Sequence, residues 1–114
     1  MPPIVETQNL TKICNEMLIL SALGEGKKHG YELAVSIESR SEGFFKFKHG
    51  TLYPILHKLE AKGFIKGAWK EEASLRKRKN YTLTPKGRRR LSVLQKEWEE
   101  FHEKLMAMSS EVKP

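Results

Sequence analysis

The sequence of 114 residues contains no aspartate and only one cysteine, Cys14. A single cysteine excludes a disulfide within the chain and a cluster of thiolate ligands around a metal. The histidines, His29, His49, His57 and His102, form no closely spaced ligand pair. There is no glycine-rich phosphate loop, and no serine or cysteine lies near a plausible histidine base. We therefore expect no metal site, no cofactor and no enzymatic activity.

Long hydrophobic runs are absent as well. The longest apolar stretch, around Met17 to Leu23, is too short to span a bilayer. The first residues, MPPIVETQ, lack the basic and apolar regions of a secretion signal. Together with a lone cysteine in an apolar helical pattern, these features predict a single unit that works in the reducing cytoplasm. A chain of this length has a modest core and gains stability from dimerisation.

Positive charge is concentrated in one part of the chain. The sequence has 21 basic and 14 acidic residues, a net charge of +7. The segment from Lys62 to Arg90 contains eleven of the basic residues and two glutamates, a net charge of +9, so the remainder is slightly acidic. Such a local excess is typical of a surface that faces a polyanion. The alternative is a solvated basic face without a partner.

The segment His49–Ile65, which leads into this basic region, has the period of an amphipathic helix. Its apolar residues recur at helical spacing, namely Leu52, Ile55, Leu56 and Leu59. Pro54 lies near the helix start, where a missing N–H costs little, and Gly63 is suited to a left-handed stop. The opposite face carries side chains able to touch a polar surface: His49, Thr51, Tyr53, Pro54, His57 and Lys58. A helix of this kind beside a cationic segment is a way to read a DNA groove.

Two further helical patterns precede this segment, at Asn9–Leu23 and Tyr31–Arg40. A short apolar run at Phe44–Phe47 connects the second pattern to the third helix. The three helices predict a helix-turn-helix with a supporting helix in front. We expect Tyr31, at the start of the second helix, to lie in the core.

After Gly63 the hydrophobic period changes from helical to alternating. Residues 65–72 and Lys79–Leu83 alternate, and the polar loop Ala73–Arg78 joins them. This pattern predicts a β-hairpin with a cationic tip, the wing of a winged helix-turn-helix, against whose domain Trp69 is expected to pack. The tip would meet phosphates or a minor groove through basic side chains, namely Arg76, Lys77, Arg78 and Lys79.

The last predicted helix begins at Thr84, an N-cap residue followed by Pro85 at the first helical position. Its apolar residues fall alternately three and four residues apart: Leu91, Leu94, Trp98, Phe101, Leu105 and Met108. Such a seam either packs on its own domain or pairs with a second copy, and the regular spacing favours pairing. We therefore expect a winged helix-turn-helix over residues 1–83 and a dimerisation helix and tail over residues 84–114, in an α+β fold that is mainly α.

Four sequence motifs carry a family resemblance. HGYEL at His29–Leu33, GTLYPIL at Gly50–Leu56, LEAKGFI at Leu59–Ile65 and RKNYTLTPKG at Arg78–Gly87 resemble the PadR-like family of bacterial transcriptional regulators. The match extends over about Ile13 to Leu91, and the single last helix resembles the shorter branch of the family. One departure is Ala73-Ser74-Leu75, where family members commonly carry glycines at the wing tip.

The resemblance implies a homodimeric winged-helix repressor that binds palindromic operators and releases them when a small ligand binds. Gly50–Leu56, including Gly50 itself, would belong to the recognition helix, and Arg76–Lys79 to the wing. Trp98 falls fourteen residues after Thr84, a spacing similar to that in drug-sensing members, where a tryptophan on this helix stacks on the ligand.

Trp98 therefore has two interpretations. Periodicity alone favours a space-filling seam residue. However, an indole is too bulky to interdigitate smoothly with Leu94 and Phe101, so two facing copies would hold the helices apart and leave a slot for a planar hydrophobic or phenolic effector.

The function expected from these features is sequence-specific binding of double-stranded DNA by a transcriptional regulator. The competing hypothesis is a basic, dimeric winged-helix module that binds RNA or a protein partner. The aromatic residues do not form a base-stacking platform in the sequence pattern, which argues against single-stranded RNA.

Overall fold

The computed structural model describes residues 7–71, 77–110 and 112. Its elements, in chain order, are α1 (Thr7–Leu23), β1 (Lys28–His29), α2 (Gly30–Arg40), α3 (His49–Ala61), β2 (Ile65–Glu71), β3 (Lys77–Leu83) and α4 (Pro85–Ser109). The predicted mainly helical α+β fold, with a hairpin after the third helix and a long last helix, is confirmed. None of the helices in the described part of the chain combines the length and hydrophobicity needed to cross a membrane.

The three strands form one small antiparallel sheet in the order β1-β3-β2. β2 and β3 pair from Ile65 opposite Leu83 to Glu71 opposite Lys77. β1 has only two residues, too few to show an alternating pattern, and it was not predicted. It pairs with the middle of β3 and runs directly into α2. The hairpin is therefore attached to the start of α2 as well as to the end of α3.

Two turns were read correctly from the sequence. Gly63 has a positive φ of 78°, and the amide of Phe64 donates to the carbonyl of Leu59, which closes the end of α3. The Thr84 hydroxyl oxygen accepts a hydrogen bond from the Gly87 amide at 3.0 Å and caps α4. The turn after α3 and the start of α4 are thus fixed by local chemistry.

The core lies where the three helices of the N-terminal part meet the inner side of the hairpin. Its fully buried members include Ile19, Leu20, Leu33, Leu52, Leu56, Leu59, Ile65, Tyr81 and Leu94. The predicted inward face of α3 is confirmed at Leu52, Leu56 and Leu59, and Ile55 is half-buried against the same core. Removing these side chains from water is the main favourable term in folding.

Two aromatic residues do not lie where they were expected. Tyr31 is 62% exposed, because α2 buries Gly30, Leu33 and Ile37 and each helical residue turns the side chain by roughly 100°. Trp69 is 68% exposed, because the inner side of β2 contacts the core near Ile65 and the strand then continues beyond it. Both predictions of core packing were wrong.

The apolar seam of α4 divides into two parts. Leu94 has no exposed surface, and Leu91 is half-buried against the same core. The expected contact of Leu94 with a second copy is therefore corrected, since its burial belongs to its own domain. Farther along the helix the seam emerges: Phe101 is half-buried, Trp98 and Leu105 are exposed, and Met108 is 74% exposed.

A buried carboxylate joins α1 to α4. The Glu16 side chain is almost completely buried, and Arg90 donates to its Oε2 atom from Nε at 3.3 Å and from Nη2 at 3.2 Å. The ammonium of Lys62, at the end of α3, lies 3.8 Å from the other carboxylate oxygen. The Arg90 guanidinium also lies over the ring of Phe64. These contacts hold the first turns of α4 against the N-terminal helices.

Arg90→Ala should lower the free energy of unfolding by about 2–3 kcal/mol, because it leaves the buried Glu16 carboxylate without its two-pronged donor. Urea unfolding followed by circular dichroism measures the loss. Arg89→Ala, at an exposed neighbouring position, is the matched control and should change stability by less than about 0.5 kcal/mol. Equal effects of the two substitutions would contradict a structural role of the ion pair.

Candidate nucleic-acid interface

The outward face of α3 carries polar side chains that are accessible to a ligand. The exposed residues are Gly50, Thr51, Tyr53, Pro54, His57 and Lys58. His49 starts the helix, but its side chain lies outside the described residues. Because Leu52, Leu56 and Leu59 fix the opposite face in the core, the helix cannot rotate without exposing them. The face available to a DNA groove is therefore determined by packing.

The basic hairpin is described only in part. Arg76 lies outside the described residues, and so does the side chain of Lys77, whose backbone belongs to β3. Arg78 is exposed, and its Nη1 atom lies 3.0 Å from Nε2 of His29. Arg78 thus stands on the exposed side of the hairpin, next to the start of α2.

Lys79 has a different environment from Arg78. Its ammonium donates to Oε1 of Glu60, near the end of α3, at 2.7 Å, and lies 5.7 Å from the ring centre of Trp69 and 5.6 Å from that of Tyr81. Lys79 was expected to contact phosphate. The structure corrects this, because the alternation of β3 points Lys79 and the buried Tyr81 to the same side, toward α3.

Glu60 also binds the backbone of the hairpin. Its Oε2 atom accepts a hydrogen bond from the Gly67 amide at 3.2 Å. A side chain at Gly67 would collide with Lys79 and with this carboxylate oxygen, so glycine allows the ion pair to lie directly on the strand. Glu60 and Gly67 are functional positions that the sequence pattern did not single out.

The ion pair changes the titration of both partners. The hydrogen bond from Lys79 lowers the pKa of Glu60, and the same bond raises the pKa of Lys79. Burial raises the pKa of the nearby Tyr81 phenol, which therefore stays protonated. At neutral pH the pair is fully charged, and it joins β3 to the end of α3.

The start of α2 is built by a reciprocal cap. The Nδ1 atom of His29 accepts a hydrogen bond from the Glu32 amide at 3.3 Å, and Oε1 of Glu32 accepts one from the His29 amide at 3.1 Å. The next residue, Gly30, leaves room for Tyr53, whose hydroxyl oxygen would lie only 2.7 Å from an added Cβ. The HGYEL motif thus places the end of the Tyr53 side chain.

The outer part of α4 carries an aromatic cluster. The ring centres of Trp98 and Phe101 are 5.3 Å apart, and those of Trp98 and His102 are 6.4 Å apart. Leu105 and Met108 extend the apolar stripe beyond these rings. The stripe lies on the part of α4 that has left the core.

Comparison with known proteins agrees with this architecture. Residues 19–93 match the sequence profile described as the transcriptional regulator PadR-like family. The chain belongs to the PadR-like family. An uncharacterised protein of Lysinibacillus sphaericus is 35% identical over 88 residues, which cover 77% of this chain and 81% of that protein. The negative transcriptional regulator PadR of Bacillus subtilis is 33% identical over 73 residues, 64% of this chain and 40% of the regulator.

Solved structures are similar over most of the chain. A PadR family transcription regulator of Clostridium difficile R20291 is 35% identical, with a TM-score of 0.67 over 82% of this chain and 95% of that one. A transcriptional regulator of Clostridium thermocellum is 28% identical, with a TM-score of 0.71 over 92% and 99% of the two chains. The protein is thus a DNA-binding transcriptional regulator, and the prediction that it is not an enzyme is confirmed.

Glu60→Gln should remove a pH-dependent part of the stability. Because the pKa of Glu60 is lowered from its ordinary 4.5, the ion pair contributes fully above that pH, and the contribution is lost as the pH falls through the folded-state pKa. The raised pKa of Lys79 keeps the contribution intact below about pH 10.5, and it is lost as the pH rises through the folded-state pKa. At neutral pH the substitution should lower the free energy of unfolding by up to about 1 kcal/mol.

The measurement is urea unfolding from neutral to strongly acidic pH. The difference between Glu60→Gln and the unmodified protein should disappear in acid. Glu99→Gln, at an exposed position on α4, should show no pH-dependent difference. A Glu60→Gln difference that stays constant down to acidic pH would contradict the ion-pair assignment.

Proposed function

We propose that the protein is a homodimeric, ligand-responsive repressor that binds a palindromic DNA operator. The observation that carries the proposal is the Glu60–Lys79 ion pair, which fixes the basic hairpin beside the outward face of α3. A helix and a cationic hairpin on one surface match the two parts of a duplex, its base edges and its phosphates.

Within this proposal α3 enters the major groove. Thr51, Tyr53, His57 and Lys58 carry donors or acceptors on its exposed face, at the side where a recognition helix meets base edges. Arg76, Lys77 and Arg78 of the hairpin supply phosphate contacts, whereas Lys79 acts by holding the hairpin in place. Electrostatic contacts of this kind give affinity with little sequence preference.

The proposed subunit contact uses the outer part of α4. Trp98, Phe101, Leu105 and Met108 form an apolar stripe that its own domain does not cover, while Leu91 and Leu94 hold the first turns of the helix in the core. Pairing two stripes would remove this apolar surface from water. Two copies related by a two-fold axis would present two α3 helices to the two halves of a palindrome.

We also propose that Trp98 lines an effector site between the two paired helices. Its indole is exposed and lies beside the rings of Phe101 and His102. A planar hydrophobic or phenolic molecule would stack on these rings. It would weaken DNA binding only if it bound better to a dimer whose α3 helices do not match the spacing of the operator.

His57→Ala or Lys58→Ala should cost on the order of 1–3 kcal/mol of binding to the operator and much less on unrelated duplex DNA, if the residue reads a base. The operator is first selected from a pool of random duplexes, and binding is then measured by fluorescence anisotropy. Lys96→Ala, on an exposed part of α4, is the control and should leave both affinities unchanged. Equal losses on both DNAs would reduce α3 to a contact with the backbone.

Leu105→Glu should produce a monomer, because the new carboxylate would be buried without a partner at the proposed subunit contact. Light scattering measures the mass, and operator affinity should fall at the same time because a single α3 reads half of the palindrome. Lys104→Glu, at the exposed neighbouring position, should remain dimeric. A Leu105→Glu protein that stays dimeric would move the interface elsewhere.

A further inference from the structure

A groove of roughly 330 Å³ lies between the start of α2, the outward face of α3 and the hairpin. Aromatic rings make up most of its walls, namely Tyr31, Tyr53, Trp69 and Tyr81. Tyr31 and Trp69 are the two aromatic residues that were expected in the core and that the structure leaves exposed. Their positions beside one groove give both of them a common surrounding.

The charges around the groove are of one sign. No acidic side chain lines it among the residues that the structure describes, whereas Arg78 and Lys79 line the hairpin side. The charge of Lys79 is neutralised by Glu60, so Arg78 supplies the positive charge for a ligand. His29, whose Nε2 atom lies 3.0 Å from Arg78 and 3.1 Å from Glu32, completes this end of the groove.

We propose that this groove binds a planar aromatic carboxylate, with the ring against Trp69 and Tyr53 and the carboxylate directed to Arg78. An arginine guanidinium is a planar fork that matches a carboxylate with two parallel hydrogen bonds. The flat rings provide stacking surface of the kind that small-molecule sites use, and the volume lies within the range of such sites. The buried phenol of Tyr81 remains protonated and adds no negative charge.

The site differs from the proposed effector site on α4. Tyr53 and His57 line the groove and also belong to the outward face of α3. If α3 reads DNA, as proposed above, a ligand in the groove and a duplex on α3 exclude each other without any change of conformation. The apparent Kd for DNA then rises in proportion to ligand concentration and reaches no plateau. A ligand acting from the paired α4 helices would instead reach a plateau set by the coupling.

The first experiment measures binding without DNA. The chain has two tryptophans, so isotope-labelled protein gives two indole N–H signals in proton–nitrogen correlation spectra, and Trp98→Phe assigns them. Titration with naphthoate should shift the Trp69 signal saturably and leave the Trp98 signal in place. Uncharged naphthamide should bind at least about 10-fold more weakly, because it lacks the charge that pairs with arginine.

Variants test the two halves of the site. Arg78→Gln should weaken naphthoate binding by about 10-fold, and Arg78→Lys should restore only part of it, because an ammonium cannot form the two-pronged contact. Lys70→Gln, at an exposed position on β2 outside the groove, should bind like the unmodified protein. Circular dichroism shows whether each variant is folded. An unshifted Trp69 signal, equal binding of naphthamide, or an unaffected Arg78→Gln variant would overturn the proposal.

The second experiment adds the selected operator duplex. A proportional rise of its apparent Kd with naphthoate, preserved in Trp98→Phe, supports the groove as the site of competition. A plateau, or an effect abolished by Trp98→Phe, would overturn competition at the groove. A duplex that shifts the Trp69 signal when naphthoate does not would assign the groove to DNA alone and overturn the ligand site. If naphthoate binds at Trp69 but no duplex binds anywhere, the ligand site stands and the proposed function fails.

Discussion

The ion pair between Glu60 and Lys79 is the contact on which the candidate interface depends. It joins the end of α3 to β3 at 2.7 Å, and the Gly67 amide adds β2 to the same carboxylate. Without it the hairpin would still be connected through the turn at Gly63, but its angle to α3 would rest on fewer contacts. A binding surface made of a helix and a hairpin needs that angle to be fixed before a ligand arrives, since ordering it on binding costs affinity.

The same economy applies to α4, which has two roles along its 25 residues. Its first turns belong to the core, where Leu94 is fully buried and Arg90 neutralises the carboxylate of Glu16. Its outer turns carry an apolar stripe that faces away from the domain. Because a helix is stiff, a ligand or a second copy that moves the outer turns would transmit the movement to the domain that carries α3.

Several features could be predicted from the sequence because they depend on neighbours along the chain. The helical period placed Leu52, Leu56 and Leu59 in the core, and Gly63 and Thr84 marked the turn and the cap where the structure has them. The family motifs were sufficient to assign a PadR-like regulator with a hairpin and a long last helix. Period, turn and cap are local properties, and a sequence records them directly.

The tertiary structure alone decided which partner each exposed or charged side chain has. A sequence pattern treats Lys79 like Arg78, yet the fold brings Glu60 beside only one of them. It treats Leu94 like Leu105, yet α1 and the core cover only the first. Tyr31 and Trp69 are hydrophobic enough for a core, but their elements turn them toward a groove instead. These outcomes depend on contacts between residues far apart in the chain, which no local period encodes.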